Sequence, residues 1–244
     1  MKTIVIIPSR LKATRLPGKP LLKINGLSII THVFKKAEKA NIGEVIVATE
    51  DQEIIHDVKK NGGQAILTNS QHKTGTDRIY EAFKKIDTSK IDLVMNLQGD
   101  EPLMNIHDIK NLNEKMIKNN SKLGTLGSKI SDQKLYINKN VVKVMTKQDL
   151  NNLNFPEAEF FSREVLEQNR NIYHHLGIYC YQKDILEKFV SYSQSYNEKR
   201  KKLEQLRALD NKIQINVALA KSSPIGVDTE EDFVAIKKIM EYKY

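Results

Sequence analysis

Over roughly the first 120 residues of this 244-residue chain, short apolar, β-branched runs alternate with helix-period segments. No other feature limits the possible folds as strongly. "TIVIIP" (Thr3–Pro8) is a run of the buried-strand type. In "SIITHVFKKAEKA" (Ser28–Ala40), Ser28 stands where an N-cap belongs, and Ile29, Val33 and Ala37 share one helix face. The strand "EVIVATE" leads into the helix "DQEIIHDVKKNGG", which opens on Asp51 and closes at the Gly62–Gly63 pair. The strand "QAILT", the helix "TDRIYEAFKKI" and the strand "DLVMNLQ" (Asp92–Gln98) complete the series, which ends in the polar cluster "QGDEP". Strands separated by helices pair in parallel, so the expectation is an α/β fold: a mostly parallel, Rossmann-like sheet with helices on both faces.

Further along, the rhythm loosens. "VVKVMT" and "LGIYCYQ" read as strands on either side of the polar, Asn-rich stretch Lys147–Glu159. One helix with charged faces is expected over about Asn197–Asp210, then a strand in "KIQINVALA" and a closing helix in "TEEDFVAIKKIMEY". There is no internal repeat and no low-complexity linker. The expectation is a single domain over residues 1–244, with a regular core over 1–130 and a less regular second lobe over roughly 130–210.

Charge and cysteine content narrow the function classes. The formal charge is +9, which favours an anionic partner: nucleic acid, a phosphorylated metabolite or a membrane surface. Aromatic residues make up only 7%, with no Trp, and no RNA-binding or helix-turn-helix signature is present, which argues against nucleic acid. The single cysteine, Cys180, excludes an internal disulfide and a cysteine-based zinc cluster, and reads as a small core residue. "MKTIVIIPSR" is too short in its apolar run for a secretion signal, and no apolar stretch approaches the ~20 residues of a membrane span. A cytoplasmic chain without a membrane anchor is expected.

In an open parallel sheet, ligands bind beyond the carboxyl ends of the strands. Two polar segments sit there. One is "IIPSRLKATRLPGKPL" (Ile6–Leu21), which places Arg10, Lys12, Arg15 and Lys19 directly after the first strand; the other is "QGDEP". No G-x-G-x-x-G follows the first strand. A Walker A loop is excluded because Ala13 stands at its first glycine and Pro20 at its Ser/Thr. Two readings of the loop remain from local physics: a cationic cradle around a triphosphate, or a basic surface loop bent by a type II turn at Pro17–Gly18.

This segment resembles the signature loop of the sugar-acid cytidylyltransferases, most closely of the 3-deoxy-manno-octulosonate (Kdo) cytidylyltransferase family. "TRLPGKPL" matches that pattern at every place from Thr14 to Leu21. Other family segments follow in order: "HKTGTDR" (His72–Arg78), with Thr74 where the family has Ser; "NLQGDEPL" (Asn96–Leu103); "FSR" (Phe161–Arg163); "HLGIYCY" (His175–Tyr181); "LEQLRAL" (Leu203–Leu209); and "GVDTEEDF" (Gly226–Phe233). The resemblance spans essentially the whole chain.

The resemblance implies a nucleotide-diphospho-sugar transferase-like fold that joins CTP to Kdo, giving CMP-Kdo and pyrophosphate for lipopolysaccharide biosynthesis. The same chemistry on 8-amino-Kdo or a sialic acid is the alternative. It implies a CTP-binding core over 1–130, and a sugar-binding and dimerisation lobe beyond it. Arg10 and Lys19 are implied as phosphate contacts, and Arg15 as a further contact or an orienter of the loop. Pro8, Thr74, Gly75, Arg78 and Gln98 complete the CTP set. Asp100 and Asp228 are implied as ligands of Mg²⁺, an ion that takes one or two protein carboxylates and fills its shell with phosphate and water. For the sugar acid the implied contacts are Gln98, Arg163, His175, Tyr179, Glu204 and Gln205. The family is dimeric, and "LGIYCY" is the expected interface. One departure stands out: after Phe-Ser-Arg, "EVLEQNRNIYHHLG" is shorter than the family's Pro- and aromatic-rich stretch, with Arg170 the candidate for its arginine.

Overall fold

The structure, a computed structural model, describes residues 1–12, 15–164 and 171–242. Thr14 and Arg170, both named above, lie outside the described residues. The chain divides into two compact units: Lys2–Ile109 with the C-terminal segment from Pro224, and Lys110–Ser223 with Met1.

The first unit opens with β1 (Thr3–Ser9) and a 3-10 turn at Lys19–Leu21. The short hairpin strands β2 (Lys23–Ile24) and β3 (Leu27–Ser28) lead to α1 (Ile29–Ala40), β4 (Gly43–Thr49), α2 (Gln52–Lys60), β5 (Gln64–Leu67), α3 (Gly75–Lys84) and β6 (Leu93–Asn96). Helix α4 (Ile106–Asn119) carries the chain into the second unit. The sheet order is β6-β1-β4-β5, parallel throughout. Ile4 to Ile7 and Leu93 to Met95 are all 0% exposed, as expected of parallel strands covered on both faces. β4 and β5 extend the sheet from one edge of β1, while β6 joins its other edge. The strand order therefore reverses between β1 and β6, and a crevice opens beyond their carboxyl ends. Gly99, just past β6, permits this close approach: a Cβ there would lie 2.8 Å from the Pro8 carbonyl oxygen.

The second unit contains β7 (Leu123–Ser128), α5 (Gln133–Ile137), β8 (Lys143–Thr146), β9 (Ala158–Ser162), β10 (Ile172–Gln182), α6 (Lys183–Ser191), α7 (Tyr196–Lys201), α8 (Leu206–Asp210) and β11 (Asn216–Ala220). Its strands run in the order β11-β7-β10-β8-β9; β11 is parallel to β7 and the other pairs are antiparallel. The closing helix α9 (Glu230–Glu241) belongs to the first unit. There Ile236 packs with Leu16, Ile24, Ile29 and Val227 in one buried cluster.

Fold class follows the expectation, a mostly parallel mixed sheet with helices. The Ser28 cap is present, accepting the Thr31 N–H at 3.1 Å. Other expectations need correction. Helix α3 starts earlier than the expected "TDRIYEAFKKI": Thr74 caps it, accepting the Asp77 N–H at 3.2 Å, and Thr76 is buried inside the first turn. The single helix expected over 197–210 is two short ones, because Lys202 takes a left-handed conformation (φ 53°) and ends α7. The two compact units meet in sequence at 109/110 and 223/224. Within this chain the side chains of "LGIYCY" pack into the unit: Leu176, Ile178, Tyr179, Cys180 and Tyr181 are all buried. Among the described residues, no helix is long and apolar enough to cross a membrane.

Candidate active site

A cleft of about 320 Å³ opens in the first unit beyond the carboxyl ends of β1 and β6. Pro8, Ser9 and Arg10 enter it from β1, and Gln98, Gly99 and Asp100 from β6. The basic loop supplies Arg15, Lys19 and Pro20; the start of α3 supplies Lys73, Thr74, Gly75 and Arg78; Asp228 enters from the segment before α9. All ten residues implied for nucleotide and metal thus line one cleft. Lys73 was missed, although its place beside Thr74 and Gly75 could have marked it. The five residues implied for the sugar alone lie in the second unit.

Local chemistry explains each placement. Pro17 and Gly18 form the type II turn: Gly18 has φ 72°, and the Lys19 N–H reaches the Leu16 carbonyl at 3.3 Å. The Gly18 N–H donates to the Leu11 carbonyl at 3.1 Å, closing the loop on itself. This turn aims Lys19 at the acids: Nζ lies 2.7 Å from Asp100 Oδ2 and 3.4 Å from Asp228 Oδ1. Arg15 reaches the other Asp228 oxygen at 3.0 Å. Asp228 is delivered by two anchors, the buried Val227 side chain and a backbone bond of 2.9 Å from the Val227 N–H to the Asp100 carbonyl. Thr229, one residue later, makes the helix cap through a capping box with Asp232, so the Asp228 side chain is left for the cleft.

Arg78 differs from the other cations. Its guanidinium is almost wholly buried and is held by Glu50, by Thr68 Oγ1 at 2.6 Å and by the Asn69 carbonyl at 3.3 Å. It braces the first turn of α3 as well as lining the cleft. Glu101, which sequence reasoning passed over, has a buried Oε2 with no hydrogen-bond partner. Burial, with the charges of Asp100 and Asp228, pushes its pKa up to about 8, so the group is a neutral acid at neutral pH. Only its place in "QGDEP" could have flagged it.

Five cationic side chains thus surround two carboxylates. That is an excess suited to a polyanion. The residues also fit a divalent cation: Lys19 Nζ, itself a cation, is seated against both aspartates. No group of three or more His, Cys, Asp or Glu side chains able to hold a metal occurs among the described residues. Two carboxylates alone are the donor set of Mg²⁺ that completes its shell with phosphate and water, not of a closed protein cage.

In the second unit, a register shift in β10 between Leu176 and Tyr179 brings His175 and Tyr179 into ring contact, with centroids 5.4 Å apart. In a regular strand, residues four apart are separated by about 13 Å. The Thr125 hydroxyl donates to the Ile178 carbonyl at 2.7 Å, so His175 Nε2–H is the donor in its 3.1 Å bond to Thr125 Oγ1. Burial, helped by the nearby His174 and Arg163, pushes the His175 pKa down to about 3. Arg163 donates to the Asn140 carbonyl at 3.1 Å and accepts on its own carbonyl from the buried Lys143 at 2.9 Å. Glu204 and Gln205 form the turn between α7 and α8. That turn is clamped by a bidentate ion pair, Arg207 Nε and Nη2 to Glu198 at 2.9 and 2.6 Å.

Comparison with known proteins agrees with this geometry. The family described as cytidylyltransferase matches residues 4–215. The 3-deoxy-manno-octulosonate cytidylyltransferase of Paramagnetospirillum magneticum is 38% identical over 240 residues, covering 98% of this chain and 97% of that protein. Its namesake in Brucella canis is 41% identical over 234 residues, covering 95% and 93%. A solved CMP:2-keto-3-deoxy-manno-octonic acid synthetase complexed with CTP matches at TM-score 0.90 and 33% identity over 100% of both chains. A UDP-glucose pyrophosphorylase at TM-score 0.75 and 14% identity, covering 100% of both chains, shares the fold. With nearly its full length aligned to these relatives, the chain belongs to the 3-deoxy-manno-octulosonate cytidylyltransferase family.

Proposed function

We propose that this chain transfers the cytidylyl group of CTP to the anomeric 2-hydroxyl of Kdo, giving CMP-Kdo and pyrophosphate. One observation carries the reading: residues from Pro8 to Asp228 converge on one cationic cleft, in a chain 38–41% identical to enzymes named for this activity. The hydroxyl oxygen bonds to the α-phosphorus in line as the bond to the β-phosphate oxygen breaks. Such a transfer asks the protein for positioning and charge neutralisation more than for covalent chemistry.

Arg10 and Lys19 take up charge on the departing pyrophosphate, Arg as a planar fork and Lys as a mobile point charge. Arg15 steadies Asp228 and the loop. Backbone and side-chain groups of Thr74 and Gly75, with Pro8, read the pyrimidine. Asp100 and Asp228 would hold Mg²⁺, and the neutral Glu101 adds no third charge beside them. Bound there, the ion would supply charge neutralisation at the phosphate oxygens and would make the attacking hydroxyl more acidic. For the sugar acid, Arg163 pairs with the carboxylate, and Gln98, His175, Tyr179, Glu204 and Gln205 bond hydroxyls. A neutral His175 suits that work. The reading extends to a cytoplasmic homodimer feeding lipopolysaccharide assembly, which the family resemblance supports.

The test is pyrophosphate release by purified protein with Mg²⁺ and CTP, offered Kdo, 8-amino-Kdo or a sialic acid. The expected kcat/KM with Kdo is about 10⁴ M⁻¹s⁻¹ or above. Release only with another acid overturns the substrate, and release with none overturns the activity.

A further inference from the structure

The basic loop needs something to hold it, since four cations repel one another and its described residues between Ser9 and Lys19 form no regular strand or helix. We propose that Asp51 is a positioning residue for this loop; the proposal rests on the reading that the loop grips CTP. Asp51 occupies the N-cap position of α2. A carboxylate there ordinarily accepts an N–H from the first turn of its own helix. Asp51 makes no such bond. Its Oδ2 instead accepts the Leu11 N–H at 2.7 Å, across 40 residues of sequence. A backbone donor on an ionised acceptor at this distance is a charge-assisted bond.

Leu11 is the point at which a single bond controls the most. It directly follows Arg10, and its carbonyl accepts the Gly18 N–H that closes the loop just before Lys19. Pinning Leu11 therefore fixes both ends of the basic segment. The carboxylate is itself held in register by the bond of 3.1 Å from the Asp51 N–H to Thr49 Oγ1, at the end of β4 beside β1. Glu50, one residue earlier, grips the opposite wall of the cleft through Arg78. Neither acid lines the cleft. The polar turn after β4 thus gives up a helix cap and secures the nucleotide loop.

The experiment compares Asp51→Ala and Asp51→Asn with the parent protein by equilibrium binding of CTP, the KM values for CTP and Kdo, and thermal unfolding. Asp51→Ala weakens CTP binding and raises its KM about tenfold, the order expected for one charge-assisted bond. The KM for Kdo is unchanged, and the melting temperature stays within about 2 °C because no helix cap is lost. Asp51→Asn keeps an acceptor oxygen and restores most of the affinity. Loss of melting temperature with CTP affinity intact makes Asp51 a structural residue and overturns the proposal, as does no change in either. Lys19→Ala is run alongside. If it too leaves CTP affinity intact, the reading of the loop has failed and the positioning role falls with it; if it weakens binding while Asp51→Ala does not, only the role of Asp51 is lost.

Discussion

His175 makes acid sensitivity a sharp test of the second unit. Its ring is buried, set edge-on to Phe161 at 5.0 Å, and bonded through Nε2–H to Thr125. Burial pushes its pKa from 6.5 down to about 3, and the nearby His174 and Arg163 push the same way. Because the folded pKa lies below the unfolded one, the unfolded chain binds more protons throughout the interval between them. The contribution to stability is fully present above about pH 6.5 and is lost progressively as the pH falls towards about 3. At about pH 5 the loss is about 2 kcal/mol. The assay is urea unfolding of the parent protein and of His175→Gln at about pH 7.5 and about pH 5, with midpoints compared at equal slope. Glutamine keeps an N–H donor for Thr125 and does not titrate. The parent protein loses about 2 kcal/mol more than the variant between the two conditions, because titrating groups that do not interact with His175 cancel in the difference. Equal losses would refute the buried neutral imidazole.

At the two aspartates proposed to hold Mg²⁺, Asp100→Asn keeps the fold, and its melting curve matches the parent. Its kcat in pyrophosphate release falls by at least about 10²-fold, so near-normal turnover would remove Asp100 from the metal site. For the buried Glu198–Arg207 pair, with side chains 4% and 2% exposed, Arg207→Met alone costs about 3–5 kcal/mol by leaving a buried carboxylate uncompensated. Adding Glu198→Leu recovers most of that in chemical denaturation. A double variant no more stable than the single one would contradict the account.

Local signals were legible in the sequence. The β-branched density of β1, the Ser28 cap and the Pro17–Gly18 bend each follow from residues within one turn of the feature, and each is present. Elements whose cause lies elsewhere were not legible. β7 reads "LGTLGS", two glycines and one β-branched residue, a composition that suits turns as well as strands. It is a strand because β10 and β11 flank it. Nothing in a lysine announces the left-handed conformation of Lys202. That break follows from closure of α7, where the buried Glu198 accepts the Lys202 N–H on its carbonyl and bonds Arg207 through its side chain.

The residues of the candidate site show the same division more sharply. "QGDEP" offers two adjacent acids, and composition cannot separate them. Asp100 faces the cleft and Lys19, while Glu101 turns inward and is neutral. What separates them is the burial of Glu101, reinforced by a contact from the far end of the chain. The Val227 N–H takes the Asp100 carbonyl and brings Asp228 alongside, so the second charge appears next to the first. Burial disfavours a charge on Glu101, the two carboxylates beside it add to that, and Glu101 keeps its proton. The bond from Lys19 to Asp228 spans 209 residues and that from Leu11 to Asp51 spans 40. Motif order could bring these segments to one site, but the tertiary closures decide which acid binds a cation, which stays neutral and which holds a loop.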